Sequence, residues 1–473
     1  MRDSRSWAEA EFGSAELGDG RRTRRLVELG AEVAARPSGT VMQACTSSAS
    51  REGAFRLLEN HAVHPDAIRA AIVDAAVQKC RREETVIVPV DATSLQLTDR
   101  ARVRGLGAVG AWTKGAQGVH VMTALALRTD GTALGIGGQR MWVRTKRSPH
   151  GRRGAQGKAS ENQVWLDMLR DAHRSLSEDA PACRPWFQMD RGADSLQVLE
   201  LSKELGLLMT VRAAYDRCTA AEGGRLWATL QRAPVLMKRK LDVAARPPVE
   251  RKKRVGAGKR IKVMTRPRRP RVATLAIRAA SVPIFCRTNG GRAFTVMLNA
   301  VYVREVNRRS DDRIEWMLLT THSIRTRRDV LEVVRAYALR WRIEEFHRLW
   351  KTGLCRVEDT QLRSRDAVFK WATILAAVAT RAMRITHLAR TTPDVPASTE
   401  FSPSELAALI ALRRPKGVAG NHVPTLAVAV QWIADLGGHS GPWKGPPGAI
   451  VVGRGLYDVL VVARAFENRD QKR

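Results

Sequence analysis

The sequence predicts an α/β protein, a sheet covered by helices with a helical segment at each end of the chain. Three observations carry that expectation. From residue 85, short apolar runs rich in β-branched residues alternate with amphipathic stretches of helical period, the pattern of strands packed under helices. Residues 1–75 and 373–473 are instead rich in Ala and Leu and punctuated by helix start and stop signals. With 473 residues, 44% of them hydrophobic, the chain has material for two or three domains around a well-filled main core.

The elements follow in order. "LGDGRRTRRLVELGAEVAA" and "SREGAFRLLEN" read as arginine-studded helices, with Asp19 and Ser50 as expected N-caps. "TVIVPVDATSL" reads as a strand, and "VHVMTALALRTDGTALGIGGQRMWVR" as two strands joined at "TDG". The helix "NQVWLDMLRDAHRSL", the strand "WFQMD", the helix "ADSLQVLELSKEL" and the strand "GLLMTVRA" come next. Between residues 220 and 320 the periodicity weakens; residues 232–271 hold sixteen Lys and Arg against only Asp242 and Glu250. That run is either a disordered basic linker or a basic loop, and the strand-like "RVATLAIRAASVPIF", "AFTVMLNAVYVREV" and "RIEWMLLTTH" around it favour a β-rich insertion with a basic loop. Helix returns with "YALRWRIEEFHRLWKTG", preceded by a capping pair, Thr326 and Asp329. Beyond the Pro-bearing "TTPDVPASTEFSPSE", "SPSELAALIALRR" has a Ser cap and "LAVAVQWIADLGG" a Gly stop. The expected divisions are 1–75, 76–372 with the insertion at 220–320, and 373–473.

Charge narrows the function. Against 47 Asp and Glu stand 80 Lys and Arg, a formal net charge of +33 spread along a folded chain, so the expected partner is a polyanion, nucleic acid above all. Six widely spaced cysteines form no CxxC pair, which argues against a zinc site or a disulfide framework. The first residues lack the apolar stretch of a signal peptide, and Lys370 and Arg381 interrupt the most apolar helix. The expectation is a cytoplasmic, nucleoid-associated protein without a membrane span.

The chemistry gathers on "YALRWRIEEFHRLWKTG". Read as one helix turning about 100° per residue, it brings Tyr337, Arg340, Glu344 and Lys351 within ~60° of one another, with Leu339, Ile343, Phe346 and Trp350 as the apolar stripe opposite. Alone, such a stripe is as readily a solvated face as a site. Two further acids give it company: Asp91 ends the apolar run "VIVPVD" and Asp190 ends "WFQMD", at strand ends where α/β folds build sites. Most single acids on a charged protein are merely solvated, but three converging carboxylates ask for a cation. Asp91, Asp190 and Glu344 would hold two Mg²⁺ ions about 3.5–4 Å apart, with Mn²⁺ as a substitute, to activate a water or 3′-OH and stabilise the leaving oxygen. Arg340 and Lys351 would clamp the flanking phosphates, and Tyr337 would add a hydrogen bond.

The spacing Tyr337-x2-Arg340-x3-Glu344-x6-Lys351 resembles the Y-R-E-K signature of the bacterial insertion-sequence transposases of the insertion-sequence-four (Tn-five-type) family. "LGDGRRTRRLVELGAEVA" is similar to that family's amino-terminal end-recognition domain, "VDATSL" to its first catalytic Asp, "MDRGADS" to its second and "WIADLGG" to its carboxy-terminal domain, so the resemblance covers nearly the whole chain. It implies a ribonuclease-H-like (retroviral-integrase-like) catalytic core with a β-rich insertion, flanked by N-terminal and C-terminal helical domains, and a DDE triad of Asp91, Asp190 and Glu344. It implies cut-and-paste transposition by a homodimer on double-stranded DNA, both transposon ends and target, with cleavage in trans: nicking, attack of the freed 3′-OH on the opposite strand to form a hairpin, hairpin opening and strand transfer. It further implies that a base beside the cut is flipped onto Trp316, which the residues alone read rather as a strand core position. Arg21, Arg22 and Arg25 match basic family positions and are the expected end contacts. The basic stretch 232–271 departs from the family's insertion, so no individual DNA contact there is carried over.

Two other readings stand beside this one: a regulator that occupies the ends without cutting, and a host nuclease selective for DNA structure. The complete set of acids disfavours the first. The Y-R-E-K set and the carboxy-terminal segment disfavour the second.

Overall fold

The computed structural model of the chain describes residues 4–110, 115–144, 161–220, 224–243, 250–255, 259–264, 269–287, 293–306, 313–415, 422–441 and 445–470. Five helices lead: α1 (Ser4–Phe12), α2 (Gly20–Ala35), α3 (Val41–Ala44), α4 (Ser48–Glu59) and α5 (Pro65–Cys80). Then come β1 (Thr85–Leu97), β2 (Gly107–Ala108), β3 (Gln117–Leu127), β4 (Ala133–Trp142), α6 (Glu161–Glu178) and β5 (Arg184–Met189). After β5 the chain forms α7 (Leu196–Glu204), β6 (Leu208–Arg212) and α8 (Leu226–Arg232). It goes on with β7 (Met237–Val243), β8 (Glu250–Val255), β9 (Lys259–Met264), β10 (Arg271–Arg287), β11 (Ala293–Glu305), β12 (Glu315–Thr320) and α9 (Arg327–Leu339). Helices α10 (Arg342–Lys351), α11 (Arg365–Thr391), α12 (Pro403–Arg413), α13 (Leu426–Leu436) and α14 (Ala449–Asp470) complete it.

Two compact units result, one of Met1–Gln188 with Ala338–Arg473 and one of Met189–Tyr337. The first holds the strand order β2-β3-β1-β5, with β4 also paired to β3. β1 and β3 run antiparallel, with Asp91 opposite Thr123. All of β3 after its first residue is buried, so helices must cover it, and α5, α6 and α11 pack on β3 and β4. Gly135 permits this: a Cβ there would lie 2.7 Å from the Cβ of Ala76 on α5. Helix α11 is the unit's spine. Its Trp371 Nε1 donates to Gly39 O at 2.8 Å and its buried Lys370 Nζ to Leu58 O and Asn60 O at 2.9 and 2.8 Å, which supply the polar partners that two buried donors require. The C-terminal helices close on its end through Ile385, Leu388, Phe401, Leu409, Leu426, Val430, Ile433 and Leu456.

In the second unit the strand order is β6-β12-β11-β10-β7, with β8 and β9 forming a separate antiparallel pair. β10 and β11 form a long hairpin in unbroken register from Leu275 opposite Glu305 to Arg287 opposite Ala293.

Several expectations change against this architecture. Part of the basic stretch is strand rather than loop: β7 pairs along β10 and presents Lys238, Arg239 and Lys240 exposed, charges that suit an edge. Residues 244–249, 256–258 and 265–268 of that stretch lie outside the described residues. Ser47, not Ser50, caps α4, its side chain accepting from Ser50 N. The division expected at 372/373 falls inside α11, and α5 runs past 75 to Cys80. No helix among the described residues is long and apolar enough to cross a membrane.

Candidate active site

Asp91 does not end its strand. β1 continues to Leu97, because Ala92–Leu97 keep pairing with β3 after the apolar run stops; what ends at Asp91 is the unbroken burial of Val86–Val90. The acid therefore projects from mid-strand, one oxygen accepting from Ala92 N at 2.8 Å and the other 3.6 Å from Arg340 Nη1. Arg340 Nη2 meets Glu344 Oε1 at 3.1 Å. One guanidinium, its side chain 11% exposed, thus bridges an acid on β1 and an acid on α10 and neutralises part of the charge that would drive them apart.

The helix expected over 337–353 is broken. Between α9 and α10 the backbone turns tightly, with Ile343 N on Arg340 O and Glu344 N on Trp341 O, so i→i−3 bonds replace the α-helical ladder. Tyr337 consequently sits on α9 and belongs to the second unit, Arg340 lies in the turn, and Glu344 and Lys351 lie on α10. The break divides the expected apolar stripe: Leu339, at the end of α9, is only part-buried, while Ile343, Phe346 and Trp350 on α10 are fully buried, the rings of Phe346 and Trp350 stack, and Trp350 Nε1 donates to Ala372 O at 3.0 Å. α10 is thereby fixed against α11 and β1. Trp341, in the turn itself, is 65% exposed and lies under the Arg340 guanidinium.

Lys351 is held at the other end of α10. Its Nζ lies 3.2 Å from Thr93 Oγ1, two residues beyond Asp91 on β1, and 3.6 Å from Glu358 Oε1. The neighbour of Glu344 has a different fate. Glu345 pairs with Arg342 at 2.9 Å and with His387 Nε2 at 3.3 Å, while His387 Nδ1 meets Gly131 O at 2.9 Å. Burial works to raise the Glu345 carboxyl, but the hydrogen bond and charge of His387, together with Arg342, outweigh it and hold it at about 2.

In the second unit Asp190 ends β5 as expected and caps a 3₁₀ turn, Arg191–Ala193, by accepting from Gly192 N at 2.7 Å. That turn is anchored by Asp194, whose fully buried carboxylate accepts from Ala214 N at 2.7 Å and pairs with Arg217. Trp316 lies half-buried on β12, edge-on to Tyr337 with ring centroids 5.4 Å apart. Tyr337 is only 5% exposed. Among the described residues, no group of three or more His, Cys, Asp and Glu side chains is gathered so as to hold a metal ion. Asp91 and Glu344 nonetheless supply hard oxygen donors on either side of one cation, the donor chemistry that Mg²⁺ or Mn²⁺ takes.

On α2, capped by Asp19 as expected, the three arginines differ. Arg21 is 83% exposed, Arg22 donates to Leu17 O at 2.9 Å, and Arg25 is held inside the bundle by Glu28, Glu32 and Ser50 O. Arg24, passed over in the sequence, is exposed one turn from Arg21; the i, i+3 spacing was its signal. Thr93 and Glu358 were also passed over, and nothing local in the sequence marks either.

Two family models match the chain. One described as "Transposase DNA-binding" covers residues 4–63, and one described as "Transposase DDE domain" covers residues 83–381. The second spans more than half of the chain and implies a ribonuclease-H-like fold, in keeping with the mixed α/β architecture.

Proposed function

The chain belongs to the DDE transposases, enzymes that act on DNA and generally use divalent metal ions, and from that premise we propose a cut-and-paste transposase of the insertion-sequence-four (Tn-five-type) kind. The observation that carries the reading is the Arg340 guanidinium set between Asp91 and Glu344. Asp91, Asp190 and Glu344 are the residues that would hold two Mg²⁺ ions, or Mn²⁺ in their place. Bound there, the ions supply an activated water or 3′-OH and neutralise the leaving oxygen.

The chain's own residues do the rest. Arg340 keeps the two carboxylates together while no other cation is present, and afterwards turns its fork to the phosphates beside the cut. Lys351, held on Thr93 and Glu358, presents its ammonium to the same backbone. Tyr337 is too buried to serve chiefly as a phosphate donor; its ring sets Trp316, on which an extruded base stacks for about 1–3 kcal/mol. α2 binds the transposon end through Arg21 and Arg24, with Arg22 behind them and Arg25 bracing the bundle. The reaction runs by nicking, hairpin formation, hairpin opening and strand transfer, in a homodimer that holds both ends and cuts in trans, in the compartment that holds the genome.

The test is a labelled double-stranded DNA carrying the element's inverted-repeat end, incubated with the protein and Mg²⁺. The reading expects a nick with a 3′-OH, followed by a product whose two strands are covalently joined. Nicking without any joined-strand product removes the hairpin route, and an equal rate on unrelated DNA removes the end-specific reading.

A further inference from the structure

Glu358 stands outside the Y-R-E-K spacing and the three acids, yet it meets both β1 and α10. Its Oε1 accepts from Gln96 N at 2.8 Å, near the end of β1, and lies 3.6 Å from Lys351 Nζ. The same ammonium is 3.2 Å from Thr93 Oγ1. A lysine has three N–H donors; one goes to Thr93, the Glu358 carboxylate sits within ion-pair range of the same ammonium, and among the described residues no other partner is within reach, which leaves a donor for an acceptor in solution. Both side chains of the ion pair are about four-fifths covered, 24% exposed for Lys351 and 20% for Glu358, which leaves a flexible four-carbon stem little freedom to swing away.

The turn that carries Glu358 is itself fixed. A 3₁₀ turn spans Val357–Asp359, and the preceding Arg356 takes the left-handed conformation at φ 49°, which a non-glycine residue holds only where its surroundings impose it. Here the surroundings are the N-terminal bundle: a Cβ at Gly39 would come within 1.9 Å of Arg356 O, so the loop ahead of α3 packs directly on this turn. Val357 is fully buried beneath it. Trp371, bonded to Gly39 O, holds that loop from below.

We propose that Glu358 is a positioning residue for Lys351: it holds the ammonium between β1 and α10 and aims its remaining N–H at the DNA backbone. It touches no substrate and acts only through Lys351. The loop at Gly39, part of the segment matched by the DNA-binding family model, is what holds the Glu358 turn in place, so the same contact joins the end-binding bundle to the grip at the cut. This inference rests on the proposed role of Lys351 in gripping DNA.

The experiment is a double-mutant cycle on end-DNA nicking with Mg²⁺, using Glu358→Gln, Lys351→Met and the pair. The amide of Glu358→Gln still accepts from Gln96 N, so the fold is kept and only the charge facing Lys351 is lost. Glu358→Gln is expected to lower the single-turnover nicking rate about tenfold while end-DNA Kd stays within about twofold, and to change nothing further in the Lys351→Met background. Glu358→Asp is expected to recover part of the rate. A full Glu358→Gln defect in the Lys351→Met background overturns the proposal, as does faster nicking or tighter DNA binding by Glu358→Gln, which would make the acid a competitor for Lys351. If Lys351→Met nicks normally, the reading of Lys351 itself fails. If Lys351→Met is defective and Glu358→Gln is not, the inference alone fails.

Discussion

Glu344 and Glu345 are adjacent on α10, yet the two edges of that helix have been given different work. On one edge Glu344, 39% exposed, shares a single guanidinium with Asp91. On the other Glu345 is tied to Arg342 of α10 and to His387 of α11, and His387 is in turn tied to Gly131 O in the β3–β4 turn. The first acid is close to water and has a cation that a metal or a phosphate can displace. The second is held between two basic side chains, one of which is itself fixed to the backbone. A carboxylate meant for chemistry needs a partner it can leave, whereas one that holds a helix needs partners it cannot.

Substitution breaks the comparison most sharply. Glu344→Gln should cut nicking of end DNA by about a thousandfold or more with binding retained, because it removes a carboxylate proposed to hold metal and little packing. Glu345→Gln should instead lower stability by about 2 kcal/mol, by leaving His387 and Arg342 without their counter-charge, with nicking reduced only in proportion to the folded fraction. Denaturant unfolding beside single-turnover nicking separates the two; equal kinetic losses at equal stability would erase the distinction.

The buried face of α10, distinct from both of these edges, also makes a pH prediction. His347 is 8% exposed and its Nε2 has no hydrogen-bond partner among the described residues; burial first, then the charge of Lys351, push its imidazole down to about 3. Between an unfolded value near 6.5 and that folded value, only the unfolded chain takes up this proton. Stability should therefore fall as pH drops below 6.5, at about 1.4 kcal/mol per pH unit from this group, and cease to fall further once below about 3. Unfolding of His347→Leu at pH 5.5 and 4.5 should show a slope shallower by about that amount, and an unchanged slope would place the effect elsewhere. The smallest effect sharpens the comparison by its absence: log Kd for end DNA against log salt should have a slope of about 0.9 per phosphate neutralised, the same for wild type, Glu344→Gln and Glu345→Gln.

Much of this was legible because it is local. The cap at Asp19, the capping pair Thr326 with Asp329, the Ser cap of α12, the Asp190 at the end of β5 and the "TDG" turn are each decided by residues a few positions apart. What escaped was decided at long range. β1 runs on to Leu97, past the end of the strand-like "TVIVPVDATSL", because β3 lies beside it and pairs to its end. The turn at Arg340–Trp341 escaped because Ile343, Phe346 and Trp350 all follow it on α10, so their spacing carries no sign of a break ahead of them. β7 was masked by its own lysines and arginine, since an edge strand exposed along most of its length shows no alternation. Arg25 looks like Arg21 in sequence and is distinguished only by Glu28, Glu32 and Ser50 folding around it.

The proposed chemistry requires Asp190 to act together with Asp91 and Glu344. The direct measurement is the Mg²⁺-dependent nicking rate of Asp190→Asn on end DNA that it still binds. The account predicts wild-type affinity with a rate lowered by about a thousandfold or more. A rate within about tenfold of wild type at the same affinity would contradict it.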